Sequence, residues 1–482
     1  MQFNSFVYIL MLLPFTVIAY FIGNKVNSTV GKIVIIISSI LFYTNLDWKI
    51  LGVLGFSLLV NYVFAIGIRK INKYHRCLVA VPIIINISLL FYFKYINFTI
   101  TNINLLFGKE WAIKEIILPL GISFFTFQQI AYMIAVHRNE VENLSIIDYL
   151  AYILFFPKIL MGPLMDPVDF IIQLNDSRNK RINIENVAQG IKIFSLGLFK
   201  KVMIADIFAN AVTWGYSNVD AASALDWILI SLFYTFEIYF DFSGYSDMAV
   251  GSALMLNITL PINFDSPYKA LSIRDFWKRW HISLTKFFTK YVYIPLGGSR
   301  KSIFRTCLNT IIIFLISGIW HGSNWTFIIW GVLHGILMIF DRLLEKIESK
   351  IFEPVRWFVT FNIVNYLWLL FRSESIAQWK NLIKTILFMQ NTTISDGLID
   401  SFKLPESTFI QNVFHLDFWI NNVRGFWMVI YLSLAFVICL IPDNNYKKIK
   451  SLSAISIVIA AIAFVWGFIC LSSESVFVYF NF

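Results

Sequence analysis

Long apolar stretches follow one another along almost the whole chain, and charged residues are concentrated in the short segments between them. A helix needs about 20 mainly apolar residues to cross the hydrocarbon core of a bilayer, and many of these stretches approach that length. One water-soluble core could not bury so many apolar runs. The candidate spans lie near residues 5–22, 31–46, 50–68, 77–97, 116–136, 146–163, 187–213, 225–256, 306–320, 324–343, 355–372, 425–442 and 452–471.

The composition agrees with a membrane protein. Of the 482 residues, 58% are hydrophobic and 14% are charged, against about 25% charged residues in an ordinary soluble domain. We therefore expect an all-α polytopic protein of the cell membrane, with roughly 11–13 transmembrane or re-entrant helices. No long polar linker divides the chain, so a single membrane-embedded domain over residues 1–482 is predicted.

The distribution of basic residues predicts the orientation of the chain. The segments 69–76 and 447–450 are rich in Lys and Arg, and such loops face the cytoplasm. Both ends of the chain should then lie outside the cytoplasm, and the first apolar run is interpreted as a span rather than a leader. The net charge of +10 is attributed to these loops, and nucleic acid is not an expected partner.

The four cysteines lie far apart, without a Cys-x-x-Cys pair, so neither a disulfide framework nor a zinc site is supported. Residues 257–300 are too polar for a plain transmembrane helix but are rich in aromatic side chains. Irregular backbone at membrane depth requires protein or water around it. This stretch is therefore predicted to be a buried element that helps to form a site.

His321 is the sharpest candidate for a catalytic side chain. It follows an apolar run in the segment Phe314–Gly322, and Gly318 and Gly322 would let another backbone approach closely. An ionisable side chain at membrane depth is costly and indicates function, and histidine is the commonest general base. The alternative is a histidine that is hydrogen-bonded between helices for packing.

His281 lies in an amphipathic, aromatic and cationic stretch, Arg274–Leu284. Such stretches usually lie at the membrane interface, so an interfacial anchor is the simple interpretation. The functional interpretation is a helix that lines a polar tunnel with His281 pointing inward. His334 would face about 220° away from His321 on one continuous helix, which favours a packing or supporting role for His334.

Three polar side chains recur every four positions in an apolar helix: Glu237, Asp241 and Tyr245. They share one helix face, and acidic groups in such a helix normally face a bundle interior or a cavity. We expect them to pair with the basic stretch 274–279, with ion binding and proton transfer as alternatives. Their spacing does not fit a metal site, and no metal is predicted.

Seven short motifs occur in a fixed order between residues 118 and 335. They are 118–127 (LPLGISFFTF), 155–163 (FFPKILMGP), 239–247 (YFDFSGYSD), 276–284 (FWKRWHISL), 293–298 (YIPLGG), 320–325 (WHGSNW) and 330–335 (WGVLHG). Together they resemble the membrane-bound O-acyltransferase (MBOAT) family, in the bacterial branch that serves alginate and peptidoglycan O-acetylation and teichoic acid D-alanylation. Nucleotide-binding and serine-hydrolase motifs are absent from the sequence.

The resemblance implies helices around a central tunnel, with residues 118–335 as the motif core. His321 corresponds to the catalytic histidine of the family and His281 to its second histidine. The donor would be a cytoplasmic acyl thioester such as acetyl-CoA, with no bound cofactor. The side chains expected to bind substrate or line the tunnel are Trp280, Trp320, Asp241, Tyr245 and Ser317.

The aromatic tail, residues 472–482, also resembles the tyrosine-containing terminus of this branch. We hypothesise that Tyr479 lies outside the cytoplasm and accepts the acyl group before a partner takes it; an interfacial aromatic anchor is the alternative. The resemblance implies an extracytoplasmic SGNH-type partner that completes transfer to a polysaccharide.

The sequence therefore predicts an O-acyltransferase that moves an acyl group, acetyl first, for modification of a cell-surface or secreted polysaccharide. The alternative within the family is D-alanyl transfer to teichoic acid. A small-solute transporter with acidic coupling sites is the rival from another class, although no internal repeat supports it. A membrane scaffold without activity is a third possibility.

Overall fold

The computed structural model describes residues 1–44, 51–71, 75–348, 350–416, 418, 420, 423–442, 444, 452–471 and 477. Over these residues the chain is helical and contains no strand. Five helices are long and apolar enough to cross a membrane, namely Tyr8–Val26, Leu51–Lys70, Arg76–Phe107, Ile303–His321 and Trp325–Ile347. Three shorter apolar helices are Ser28–Thr44, Phe426–Leu440 and Ala454–Ile469. The all-α polytopic class is confirmed, while the number of eleven to thirteen helices and the central tunnel stay predictions.

The chain divides into two compact units whose segments alternate along the sequence. The first comprises Met1–Ser195, Tyr245–Ile262 and Leu452–Ala460, and the second comprises Leu196–Gly244, Asn263–Ser451 and Ala461–Phe482. The single domain expected over residues 1–482 stays a prediction.

Among the described residues, the first ten α-helices along the chain begin in the first unit. Their bounds are α1 Leu13–Val26, α2 Ser28–Thr44, α3 Leu51–Lys70, α4 His75–Leu90, α5 Ile96–Phe107, α6 Ile122–His137, α7 Ile146–Leu154, α8 Phe156–Ile159, α9 Pro167–Asn175 and α10 Ile184–Lys200. Short π-helical turns at Tyr8–Leu12 and Phe91–Tyr95 extend α1 and join α4 to α5.

Two predicted spans of the first unit are shorter than expected. The helix predicted over 116–136 begins only at Ile122, after Gly121 with a φ of 77°. The span predicted over 146–163 is divided into α7 and α8, and Phe155 between them has a ψ of 105°. Both interruptions fall in the motifs 118–127 and 155–163, whose prolines and glycines disfavour a continuous helix.

The second unit contains the longest helix of the described chain and the predicted site stretch. Its helices are α11 Asp206–Ser217, α12 Ala224–Met255, α13 Ile273–Arg279, α14 Ile282–Phe288, α15 Ile303–His321, α16 Trp325–Glu348, α17 Glu353–Arg372, α18 Ile376–Leu387, α19 Asp396–Asp400, α20 Pro405–Phe414, α21 Phe426–Leu440 and α22 Ala454–Ile469. From Tyr245 onward α12 belongs to the first unit, and so does the beginning of α22, up to Ala460. The 32 residues of α12 extend over ~48 Å at 1.5 Å per residue.

The stretch 257–300 is folded as predicted, without a plain transmembrane helix. It contains only short helical pieces, including α13 and α14 of seven residues each, and then a π-helical turn at Thr289–Tyr293. Trp277, Trp280 and Phe288 are buried. These short pieces let several aromatic side chains and His281 face the interior of their unit.

The helices α15 and α16 form an antiparallel hairpin with backbone-to-backbone contact. A Cβ atom on Gly331 would overlap the carbonyl oxygen of Phe314 and lie 3.0 Å from the Cα of Gly318. Small residues spaced by four are the usual means of such close packing between membrane helices. The glycines of the WHG and WGVLHG motifs are therefore explained by helix contact.

We predict that Gly331→Ala strongly destabilises the protein, because the backbone oxygen of Phe314 cannot move aside without disturbing α15. Overpacking of this kind typically costs about 1–3 kcal/mol. The measurement is thermal unfolding of the detergent-purified chain. Gly55→Ala is the matched control, since a Cβ there meets nothing within 4 Å and alanine favours a helix interior. Equal melting temperatures for the two variants would contradict the packing argument.

Candidate active site

His281 occupies a sharp corner between α13 and α14. Its φ is 45°, in the left-handed region that non-glycine residues rarely adopt. Asn263 holds the corner: its carbonyl oxygen accepts from the Ile282 N–H at 3.0 Å, and its Oδ1 accepts from the Ser283 hydroxyl at 2.6 Å. A strained backbone that neighbouring groups hold in place is typical of functional sites.

The His281 side chain is buried, with 1% of its surface exposed. The Phe242 ring meets it edge-on, with 4.7 Å between the ring centroids. Within the part of the chain that the structure describes, neither ring nitrogen has a hydrogen-bond partner. Burial of polar groups without partners is costly, so the His281 ring is suited to receive a hydrogen-bonding ligand.

His321 is the last residue of α15, which ends because Gly322 is extended, with a φ of −166°. The imidazole is 4% exposed and is surrounded by aromatic rings. The centroids of Trp320, Trp330 and Phe371 lie 4.9, 5.3 and 5.2 Å from that of His321. This aromatic wall fixes the ring and keeps it out of contact with bulk solvent.

An aromatic layer joins the two histidines. The Trp320 ring, next to His321, has its centroid 6.2 Å from that of His281. On the other side, Trp280 packs against Trp368 at 5.0 Å, and Trp368 stacks on Trp330 at 5.6 Å, next to His321. Four of the predicted site residues, Trp280, His281, Trp320 and His321, are therefore brought together in one layer of the second unit.

His334 supports this layer from behind. The Trp277 indole N–H donates to its Nδ1 at 3.2 Å, so the proton of the neutral ring lies on Nε2. The Trp330 ring lies 4.8 Å from His334 and 5.3 Å from His321. His321 and His334 do not lie on one continuous helix, as the predicted 220° angle assumed, because α15 ends at His321 and α16 begins at Trp325. The supporting role predicted for His334 agrees with these contacts.

Asp241 pairs with a lysine that the sequence analysis did not select. The Lys201 ammonium donates to Asp241 at 2.7 Å and lies 2.8 Å from Asp206. Lys201 and Asp241 are each 1% exposed. The predicted pairing of Asp241 with the stretch 274–279 is therefore wrong. Arg274 instead pairs with Asp341, at 3.1 Å.

The other predicted residues lie in different settings. Ser317 is buried on α15, one turn before His321. Tyr245 belongs to the first unit, where its ring packs 4.8 Å from that of Phe3. Tyr479 lies outside the described residues. The predicted role of Tyr245 at the substrate site therefore stays a prediction.

The sequence contained a signal for Lys201 that was not used. Lys201 falls inside the predicted span 187–213, and a cation at membrane depth requires a carboxylate or another acceptor. The acids of α12 were the available partners. Trp277 and Trp330 belong to the motifs 276–284 and 330–335, whereas nothing in the sequence singles out Phe371, because aromatic residues are frequent in this chain.

We predict that Lys201→Met lowers the free energy of unfolding by about 3–5 kcal/mol, because it removes the ammonium from a buried carboxylate. The control is Arg424→Met, which breaks a pair with Asp396 whose side chains are 62% and 85% exposed and should cost about 0–1 kcal/mol. Unfolding of the purified protein is followed in both variants. Similar losses would show that the buried pair has no special weight.

The layer is suited to acyl transfer. One buried imidazole can take a proton from a hydroxyl, and a second can donate a hydrogen bond to an oxyanion. The aromatic walls exclude water, which would otherwise compete as an acyl acceptor. Among the described residues, no group of three His, Cys, Asp or Glu side chains could hold a metal ion.

Bacterial cell-envelope and exopolysaccharide acyltransferases are similar to this chain in sequence. A peptidoglycan O-acetyltransferase of Helicobacter pylori is 36% identical, and the alignment covers 100% of this chain and 97% of the relative. A probable alginate O-acetylase of Azotobacter vinelandii is 34% identical over 82% of this chain and 80% of the relative. A teichoic acid D-alanyltransferase of Streptococcus thermophilus is 28% identical over 52% of this chain and 68% of the relative.

The model of the membrane-bound O-acyltransferase family matches residues 86–373. This range contains the whole motif core, the histidine layer and the α15–α16 hairpin. It also contains the strained corner at His281 and the supporting residue His334. The chain is therefore a member of the membrane-bound O-acyltransferase family and a multi-pass membrane acyltransferase.

Proposed function

We propose that this acyltransferase provides acetyl groups for O-acetylation of a cell-surface polysaccharide, with peptidoglycan as the first acceptor to examine. A relative that aligns with the whole chain is a peptidoglycan O-acetyltransferase. The alginate O-acetylase covers less of the chain, and the D-alanyltransferase covers about half. These proportions favour acetyl over D-alanyl as the transferred group.

The observation that carries the proposal is the buried layer of His281, Trp320 and His321. In our mechanism His321 takes the proton of an acceptor hydroxyl, and the hydroxyl oxygen attacks the carbonyl carbon of an acyl thioester. The C–S bond then breaks, and the proton passes to the thiolate that leaves. The N–H of neutral His281 donates to the carbonyl oxygen as negative charge develops there.

The donor in this proposal is a cytoplasmic acyl thioester, acetyl-CoA or an acetylated carrier. Lys- and Arg-rich loops at 69–76 and 447–450 support an orientation with these loops in the cytoplasm. With the segment 447–450 in the cytoplasm, the one apolar run that follows it, 452–471, would place the tail after α22 outside. The acyl group would cross the membrane as an ester rather than as a soluble donor.

Tyr479 is the proposed intermediate acceptor. Its phenol would take the acetyl group from the thioester, and an extracytoplasmic partner of the SGNH type would transfer the group to sugar hydroxyls. The final acceptor in this proposal is a polysaccharide hydroxyl, whether the acetyl group reaches it through Tyr479 or directly from the thioester.

We predict that His321→Ala lowers ester-linked acetate on purified peptidoglycan to the level of a deletion strain, because the general base is lost. Removal of a general base typically costs 10²–10⁴-fold in rate. Acetate is released by mild alkali and quantified by chromatography, with membrane expression matched. The exposed His137 provides the control, since His137→Ala should leave acetate unchanged.

Unchanged acetate in the His321→Ala strain would overturn the assignment of base and cargo together. Ester-linked D-alanine is measured in the same samples. A selective loss of D-alanine would move the proposal to the teichoic acid branch of the family.

We further predict that Tyr479→Phe abolishes surface acetylation while the protein stays folded, because only the phenol oxygen is removed. Mass spectrometry of the C-terminal peptide should detect an acetyl ester in the wild type and none in the variant. Tyr92→Phe, at a side chain that is 44% exposed, is the matched control. Full acetylation by the Tyr479→Phe strain would contradict the role of Tyr479, and the acetyl group would then pass directly from the thioester to the partner or the sugar.

A further inference from the structure

A cavity of about 210 Å³ lies beside the histidine layer in the second unit. It is bounded by α13, α14, the turn Thr289–Tyr293, α15 and α16, and its walls are mainly apolar. The apolar side chains that contribute most are Leu284, Phe288, Ile313, Phe314 and Met338. Such walls favour a hydrocarbon chain over a polar substrate.

Polar side chains also contribute to the lining of the cavity. Hydroxyl groups of Thr285, Thr310 and Ser317 lie along the walls, and Arg342 is the one charged side chain among the described lining residues. Arg342 is exposed and makes no ion pair within the described chain. The neighbouring acid Asp341 pairs with Arg274 instead. The guanidinium of Arg342 is therefore available for an anion at the edge of the cavity.

The cavity is separate from the proposed site of acyl transfer. None of the three buried histidines of this unit, His281, His321 and His334, belongs to its described lining. Trp277 lines the cavity and at the same time donates its indole N–H to His334. The indole thus lies between the cavity and His334, and neither proposed catalytic imidazole belongs to the described lining.

The surroundings of the cavity indicate what fills it. Both α15 and α16 are long and apolar enough to cross a membrane, and they carry exposed apolar side chains such as Phe304 at 78%, Phe340 at 55% and Leu343 at 59%. A partly open apolar cavity on such helices is in contact with lipid hydrocarbon rather than water. Arg342 lies eight residues beyond His334, ~12 Å along α16, close to the end of the helix at Glu348.

We propose that this cavity is a binding site for an anionic phospholipid. One acyl chain occupies the apolar space between α14, α15 and α16, and the phosphate accepts hydrogen bonds from the Arg342 guanidinium. Arginine is well matched to phosphate because its planar fork can donate two parallel hydrogen bonds. A single guanidinium suits one phosphodiester.

The test is lipid retention by the purified full-length protein. Native mass spectrometry is performed after incubation with phosphatidylglycerol or with phosphatidylcholine of the same chain length. Wild type should retain one phosphatidylglycerol in preference to phosphatidylcholine. Arg342→Gln should weaken phosphatidylglycerol binding roughly tenfold or more, the value of a charge-assisted hydrogen bond, and leave phosphatidylcholine binding unchanged. Thr310→Phe, which fills the cavity, should reduce binding of both lipids.

Arg356→Gln is the matched control, because it removes the same charge from α17, outside the cavity lining. Melting temperatures of all variants establish that each is folded. Equal retention of the two lipids by wild type, or an equal effect of Arg342→Gln and Arg356→Gln, would overturn the proposal. Displacement of the bound lipid by coenzyme A in wild type but not in Arg342→Gln would overturn it as well, by assigning the cavity to a thioester donor.

Discussion

Hydrocarbon offers no hydrogen-bond partner, so a polar side chain that this chain carries into the membrane has to be satisfied by the protein itself. In the first unit, Ser57 donates to Asn86 at 2.7 Å, and Asn86 donates to Asn61 at 3.0 Å. The buried ammonium of Lys158 donates to Gln128 and lies 3.9 Å from the centre of the Tyr152 ring. In the second unit, Asp241 and Asp206 share the ammonium of Lys201. These contacts connect helices that apolar packing alone would leave free to slide.

His281 differs from these paired side chains. Its ring is buried, and within the described chain both nitrogens have no hydrogen-bond partner. The backbone around it is held in a strained conformation by Asn263. Other buried atoms of the described chain, such as Trp330 Nε1 and His334 Nε2, also lack a partner, but the His281 ring has both of its nitrogens open and can therefore both donate to and accept from a ligand. The neighbouring Trp320 and His321 give that position a proton acceptor and a water-poor wall.

Much of this organisation could be predicted from the sequence, and the parts that could not share a physical reason. Apolar runs of about 20 residues identify membrane helices because the bilayer sets their length, and the polar stretch 257–300 could be recognised as irregular for the same reason. His281 and His321 stand out because ionisable groups are rare in such a chain. Pairings between distant segments were less accessible: Lys201 lies 40 positions from Asp241, and only the folded helices show that they meet. The tunnel, the tail and the catalytic roles still rest on the motif resemblance.

The glycine contact between α15 and α16 also fixes the position of one of the two proposed catalytic histidines, His321. Since Gly331 lies against Phe314 and Gly318 with no space for a methyl group, the two helices can neither slide nor rotate past each other. His321 and His334 therefore belong to one rigid body, whose imidazoles keep their separation whatever substrate is present. His281, by contrast, is carried by two seven-residue helices joined at a corner. The proposed base and the proposed oxyanion donor are thus held by separate contacts, the glycine packing of α15 on α16 and the Asn263 bonds at the corner, so a substitution in one set of contacts can displace one imidazole and leave the other in place.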